Sequence, residues 1–132
     1  MILVDTSVWI AFVRGASSHA VRRLRLALDG GIIVALTSLI YQEILQGAES
    51  ERAFRELCAY FSGQRFLHPR DPIESHEAAA RLYFDCRRKG LTVRSTNDCL
   101  IAQIAIEHDV ALLHDDRDFQ NIAKLAPRLK LS

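Results

Sequence analysis

Ile2-Leu3-Val4-Asp5-Thr6-Ser7 opens as a short apolar run and stops at an acid followed by two hydroxyl residues. Such a run, with its β-branched bias and a polar end, reads as a buried strand that closes in a turn. Thr6 or Ser7 is suited to cap a helix over 8–13. The same grammar recurs downstream. Residues 32–36 (Ile-Ile-Val-Ala-Leu) form a second apolar run, and Thr37 or Ser38 then caps a helix over 38–46, closed by Gly47. Residues 65–68 form a short third strand stopped by Pro69 and Pro72, and residues 110–114 (Val-Ala-Leu-Leu-His) a fourth. Helical periodicity occupies the intervals: 19–29 with Val21, Leu24 and Leu28, 50–62, 73–89 ended by Gly90, and 97–108 capped by Ser95 or Thr96. A last short helix is expected over 118–125, and 129–131 read as a final edge strand.

Strands that are solid apolar runs, not alternating patterns, need cover on both faces. Alternation of such strands with helices predicts an α/β fold: a three-layer α/β/α sandwich on a parallel sheet of four to five strands. The chain has 132 residues and no internal repeat or low-complexity linker, so one domain over 1–132 is expected. Apolar residues make up 49% and charged residues 25%, which excludes disordered and fibrous classes. The formal net charge of +1 excludes a protein that holds nucleic acid by its overall field; any such function needs local patches or metal ions that bridge to phosphate. Cys58, Cys86 and Cys99 are odd in number and lack metal-ligand spacing, so they read as reduced, buried filler. An acid interrupts the first apolar run at Asp5, unlike a signal peptide, and no stretch approaches the roughly 20 apolar residues of a membrane span. A cytoplasmic location without membrane contact is the expectation.

In open parallel sheets, ligands sit beyond the carboxyl ends of the strands. Asp5 follows the first strand directly, and Asp115, Asp116 and Asp118 follow the fourth. Glu43 shares its helix with Ile40 and Ile44, which places it within or beside the inward face. Asp98 has Ile101, Ala102 and Ala105 at i+3, i+4 and i+7, again an inward stripe, and stands in a first helical turn where the dipole favours an anion. Each acid alone has a plain structural reading. Together they bring four segments distant in sequence to one sheet edge. Carboxylates so gathered raise one another's pKa unless a cation intervenes, and a hard divalent ion with oxygen ligands resolves the conflict. Metal-assisted phosphodiester hydrolysis is the chemistry that follows. Thr6 and Thr96 bring hydroxyls beside the acids, suited to orient water or phosphate or to cap their helices.

At this point four stretches resemble a known family: Ile2-Leu3-Val4-Asp5-Thr6-Ser7-Val8-Trp9-Ile10, Tyr41-Gln42-Glu43-Ile44-Leu45-Gln46-Gly47, Thr96-Asn97-Asp98-Cys99-Leu100-Ile101-Ala102 and Leu112-Leu113-His114-Asp115-Asp116-Arg117-Asp118-Phe119. In order and spacing they are similar to PIN domains, and more narrowly to VapC-type toxins of VapBC toxin–antitoxin modules. The resemblance implies an endoribonuclease dependent on Mg2+ or Mn2+, commonly a homodimer, restrained by a VapB-type antitoxin whose C-terminal segment crosses the site. By position it implies Asp5, Glu43, Asp98 and Asp116 as the catalytic acids, with Asp5, Asp98 and Asp116 on the metal. Asp118 matches a supporting acid, expected to matter less because it lies further from the strand. Asp115 stands where many relatives carry Asn or another polar residue.

Two basic groups remain. Arg22-Arg23-Arg25 reads chiefly as a solvated helix face; Arg87, Arg88 and Lys89 with Arg94 read either as a phosphate-tracking groove for RNA or as cations at a helix C-terminus. Trp9, Phe12 and Val13 share a helix face, read first as core and second as a groove for an antitoxin helix. The rivals are a receiver-like signalling module and a PIN-like scaffold that binds RNA or a partner without cutting. The first needs a lysine at a late strand end, and Lys89, Lys124 and Lys130 do not fall there. The second would lack one of the acids, and all are present. A phosphatase loop of D-x-D type fails at Asp5-Thr6-Ser7.

Overall fold

The computed structural model describes residues 1–132. Four strands, β1 (Ile2–Val4), β2 (Val34–Leu36), β3 (Arg65–Phe66) and β4 (Ala111–Leu113), form one sheet in the order β3-β2-β1-β4, with every pairing parallel. Seven helices connect and follow them: α1 (Thr6–Val13), α2 (His19–Asp29), α3 (Ser38–Gln46), α4 (Glu51–Phe61), α5 (Pro72–Arg88), α6 (Thr96–Glu107) and α7 (Arg117–Leu125). The expected α/β class with a parallel sheet is what the chain adopts.

The layering follows from the strand order. From β1 the chain steps one way to β2 and β3, then reverses across the sheet to β4. Right-handed crossovers taken in opposite directions lay their helices on opposite faces. The contacts agree: α1 packs on α2 and α3, and α3 on α4, whereas α5, α6 and α7 pack on one another. The strands are accordingly dry on both sides, with Leu3, Val4, Ala35, Leu36, Leu112 and Leu113 all buried within a single core cluster. The reversal leaves a crevice at the carboxyl ends of the neighbouring strands β1 and β4, the switch point where open α/β sheets bind their ligands.

Several boundaries differ from the sequence reading. β2 begins at Val34, not at residue 32, because Ile32 and Ile33 lie before the paired register Ile2↔Val34 and are 47% and 51% exposed. The carbonyl of Ile33 still accepts from the Ile2 N–H at 3.0 Å, so the run is a strand approach and not a loop. The expected edge strand over 129–131 reduces to one parallel bridge, Leu112↔Leu131, with bonds of 2.8 Å from Leu112 N–H to the Lys130 carbonyl and from Ser132 N–H to the Leu112 carbonyl. Only Leu129 of that segment is buried, so little apolar burial extends the pairing. Cys86 and Cys99 are buried as expected, but Cys58 is half-buried, and all three thiols are free.

Candidate metal centre

The acids reach the crevice through helix capping. Asp5 remains in the sheet by its backbone, its N–H donating to the Leu113 carbonyl at 2.9 Å, and has the extended φ of −70° and ψ of 158° that an N-cap requires. It, and not Thr6 or Ser7, caps α1. Oδ2 of Asp5 accepts from the Ser7 hydroxyl at 2.8 Å and from the Ser7 N–H at 3.3 Å, which leaves Oδ1 for the crevice. Asp116 repeats the arrangement at the start of α7. Its N–H donates to Nδ1 of His114 at 3.2 Å, and its Oδ1 accepts from the Asp118 N–H at 3.0 Å. Asp98 stands in the first turn of α6, capped by Ser95. Three helix N-termini, with their partial positive charge, therefore point into a pool of carboxylates.

Glu43 arrives from α3, half-buried as its place beside Ile40 and Ile44 predicted. The Thr6 hydroxyl donates to its Oε1 at 2.9 Å and so ties α3 to α1. Asp98, Asp116 and Asp118 each bring a carboxylate oxygen within 4.8 Å of the others. Asp118 is only 3% exposed and Asp98 9%, deeper than half-buried Asp116. Asp118, expected as a supporting acid because it lies further along the chain, is turned inward by the first turn of α7, which the cap at Asp116 starts. Asp115 is exposed. Thr96 is the exposed first residue of α6, and Ser95 takes the cap that was open between them. Ser7, which the sequence offers as a helix cap, instead fixes Asp5; a hydroxyl residue two places after a capping Asp is the signal for that role.

Crowding shows in the electrostatics. Burial pushes the Asp98 carboxyl up to about 8, helped by the charges of Asp5, Asp116 and Asp118 and by its hydrogen bond with Asp118. Burial also raises Asp5, against the lowering effect of the Ser7 and Thr6 donors, with a further upward push from Asp116. Glu43 is raised by burial, lowered by Thr6 and raised again by Asp5. Asp5 is thus within electrostatic reach of Glu43 on one side and of Asp98 and Asp116 on the other. A cluster that holds a carboxyl near 8 is short of positive charge. Its donors are all carboxylate oxygens, which fit a hard divalent cation and not zinc with its preference for nitrogen and sulfur.

Of the expected RNA contacts, Arg94 lies against the acids themselves. Its Nη2 is 2.8 Å from Asp116 Oδ1, its Nε 3.3 Å from Asp118 Oδ1, and its backbone N–H donates to Asp118 Oδ2 at 2.9 Å. Arg87 and Arg88 are exposed at the end of α5, their guanidinium groups over the rings of Tyr83 and Phe84. Away from the acids, Phe12, Val13, Leu57, Tyr60 and Phe61 line an apolar groove of about 420 Å³ where α1 meets α4. No helix is long and apolar enough to cross a membrane.

A parallel sheet with acids gathered at its switch point is the architecture of a PIN domain, and the family model of that description matches residues 2–125; the chain belongs to this family. Among its relatives are VapC ribonuclease Mb1587 of Mycobacterium bovis and Ribonuclease VapC11 of Mycobacterium tuberculosis. Each is 40% identical over 126 residues, which cover 95% of this chain and 93% of the relative. The fold is also that of VapBC-1 from nontypeable Haemophilus influenzae, at a TM-score of 0.74 and 20% identity over 100% of this chain and 97% of that one.

Proposed function

We propose that the chain is a metal-dependent endoribonuclease, the toxin of a VapBC-type toxin–antitoxin pair, with Mg2+ as its ion and Mn2+ as an effective substitute. The observation that carries this reading is the gathering of Asp98, Asp116 and Asp118 within 4.8 Å of one another, with Asp5 in electrostatic reach of them and Glu43 of Asp5, in a chain 40% identical to named VapC ribonucleases.

In this reading Asp5, Asp98 and Asp116 hold the ion, and Asp118 joins them from its buried position. The bound ion supplies Lewis-acid polarisation of a phosphate oxygen and activation of water. The remaining work belongs to the chain. Glu43, held at Oε1 by Thr6, has its other oxygen available and would take the proton of the attacking water. A phosphorus–oxygen bond would form to that water as the bond to the leaving ribose oxygen breaks, and that oxygen would take a proton from solvent to leave as a hydroxyl. Ser7 and Thr6 hold Asp5 and Glu43 in place, so that little reorganisation is needed during the reaction. The partner is a VapB-type antitoxin, and the apolar groove beside α1 and α4 is a surface suited to receive it.

Purified protein incubated with bacterial total RNA and Mg2+ is expected to cut it, and to spare it in excess chelator. Asp5→Asn, Glu43→Gln, Asp98→Asn, Asp116→Asn and Asp118→Asn are each expected to lose activity on the order of 10²-fold or more while folded. Cleavage that persists in chelator refutes the metal mechanism, and full activity in the Asp98 or Asp118 variant refutes the assignment of that acid.

A further inference from the structure

We propose that Arg94 is the resident cation of the acid cluster: metal displaces its guanidinium from Asp116 and Asp118, and the displaced side chain takes an RNA phosphate in the polar cavity alongside. The proposal rests on reading the cluster as the metal centre of a ribonuclease.

Arg94 is the only lysine or arginine in ion pairs with these acids; the other pairs lie on exposed helix surfaces or join Lys130 to Asp109. Its guanidinium bridges two of the three carboxylates that come within 4.8 Å of one another, engaging Oδ1 of each. A guanidinium and a divalent ion compete for such oxygens, since each relieves the same repulsion. The two parts of Arg94 differ in how firmly they are held. The backbone N–H bond to Asp118 Oδ2 belongs to the chain path and stays whatever the side chain does. The side chain is 69% exposed, so it can swing away without unpacking the core, and an incoming ion keeps the buried Asp118 carboxylate compensated when it does.

A destination lies beside it. A polar cavity of about 640 Å³, with no apolar residue in its wall, is lined by Arg94, Arg117, Thr92, Asn121 and the acids of the 115–118 turn. Asn121 donates to the Thr92 carbonyl at 2.8 Å and so ties two residues of the wall together. Two guanidinium groups in a cavity beside a metal centre suit a phosphate next to the one being cut, because the planar fork of arginine matches phosphate oxygens. The exchange makes the ion and the substrate cooperate: a bound ion frees the cation that holds RNA.

The test uses Arg94→Gln and Arg94→Lys in the full chain. Mn2+ binding is measured without RNA, from the paramagnetic resonance signal of free Mn2+, and RNA cleavage is then measured at saturating Mn2+. Arg94→Gln is expected to bind Mn2+ roughly threefold to tenfold more tightly than wild type, the scale of an exposed pair removed. It is also expected to raise KM for RNA with a smaller change in kcat, and Arg94→Lys to restore most of the KM. Unchanged or weaker Mn2+ binding by folded Arg94→Gln overturns the displacement, and tighter binding with an unchanged KM overturns the phosphate role. Should wild type bind no Mn2+, or Asp116→Asn bind as wild type does, the metal reading falls and takes the proposal with it. Normal binding by wild type and a loss in Asp116→Asn, with no effect of Arg94→Gln, removes the proposal alone.

Discussion

At Asp98, burial and three neighbouring carboxylates act in the same direction, so the folded, metal-free protein binds a proton there that the unfolded chain releases near 3.8. The sign of the consequence is fixed by linkage. A folded pKa above the unfolded one means that stability is fully present below 3.8 and is lost as pH rises to about 8. Asparagine imitates the protonated carboxyl, since its amide can donate to Asp118 as the acid proton does. In chelator, Asp98→Asn is therefore expected to match wild type near pH 4 and to exceed its Tm by about 3 °C or more at pH 9. Thermal unfolding at several pH values checks this, and a gap independent of pH would refute it. Saturating Mg2+ is expected to reverse the order, because only the wild-type site gains from the ion. Thr6 acts at the same scale by a single bond. Thr6→Val frees Oε1 of Glu43 and is expected to slow cleavage about fivefold, the value of one hydrogen bond of about 1 kcal/mol, with Thr6→Ser restoring the rate.

Two elements, α1 and α7, start on acids of the cluster, so Asp5 and Asp116 each cap a helix and belong to the crevice at once. Asparagine caps as well as aspartate, whereas alanine does not. Asp5→Asn and Asp5→Ala both remove the charge, and only the second removes the cap. Both are expected to be inactive, with the alanine form less stable by about 1 kcal/mol in denaturant unfolding. Equal stability of the two would sink the capping role. The same doubling of tasks explains what was legible in the sequence. The strands could be read because runs such as residues 2–4 and 111–113 are apolar on both faces, and an acid at their ends then locates the sheet edge. The cap of α1 could not be chosen from Asp5-Thr6-Ser7, where all three types cap helices; Asp5 prevails because its N–H still belongs to the ladder with β4. Asp118 was ranked by distance along the chain, but depth is set by the turn of α7. Arg94 could be read as cationic and near Asp98, yet its pairing with acids 22 and 24 residues away depends on the packing of α7 against α5 and α6.

Across the whole molecule, the acid crevice and the apolar groove are separate surfaces that share α1: Asp5 caps its start, and Phe12 and Val13 line the groove at its end. A partner on the groove is therefore about one short helix away from the metal centre, close enough for an extended segment to reach the acids. The groove has the character of a docking surface. Trp9 lies fully buried beneath it, edge-on to Phe61 at 4.9 Å and to Phe12 at 5.9 Å, and gives the wall a rigid backing. Val13 is 49% exposed, and Tyr60 and half-buried Leu57 complete an apolar strip that a helical partner can cover. Burial of such a strip contributes about 25 cal/mol per Å² of apolar area, and a charge set into it must be desolvated when a partner covers it. Val13→Asp, on an exposed edge far from the acids, is expected to leave the fold and RNA cleavage intact. Expressed alone, wild type and Val13→Asp are both expected to arrest bacterial growth, while Asp116→Asn is not. Co-expression of the cognate antitoxin is expected to restore growth with wild type and to co-purify with it, and to fail at both with Val13→Asp. If the antitoxin still neutralises and retains Val13→Asp, the groove is not its seat; if wild type is harmless alone while cutting RNA in the tube, the chain is a nuclease without the toxin role.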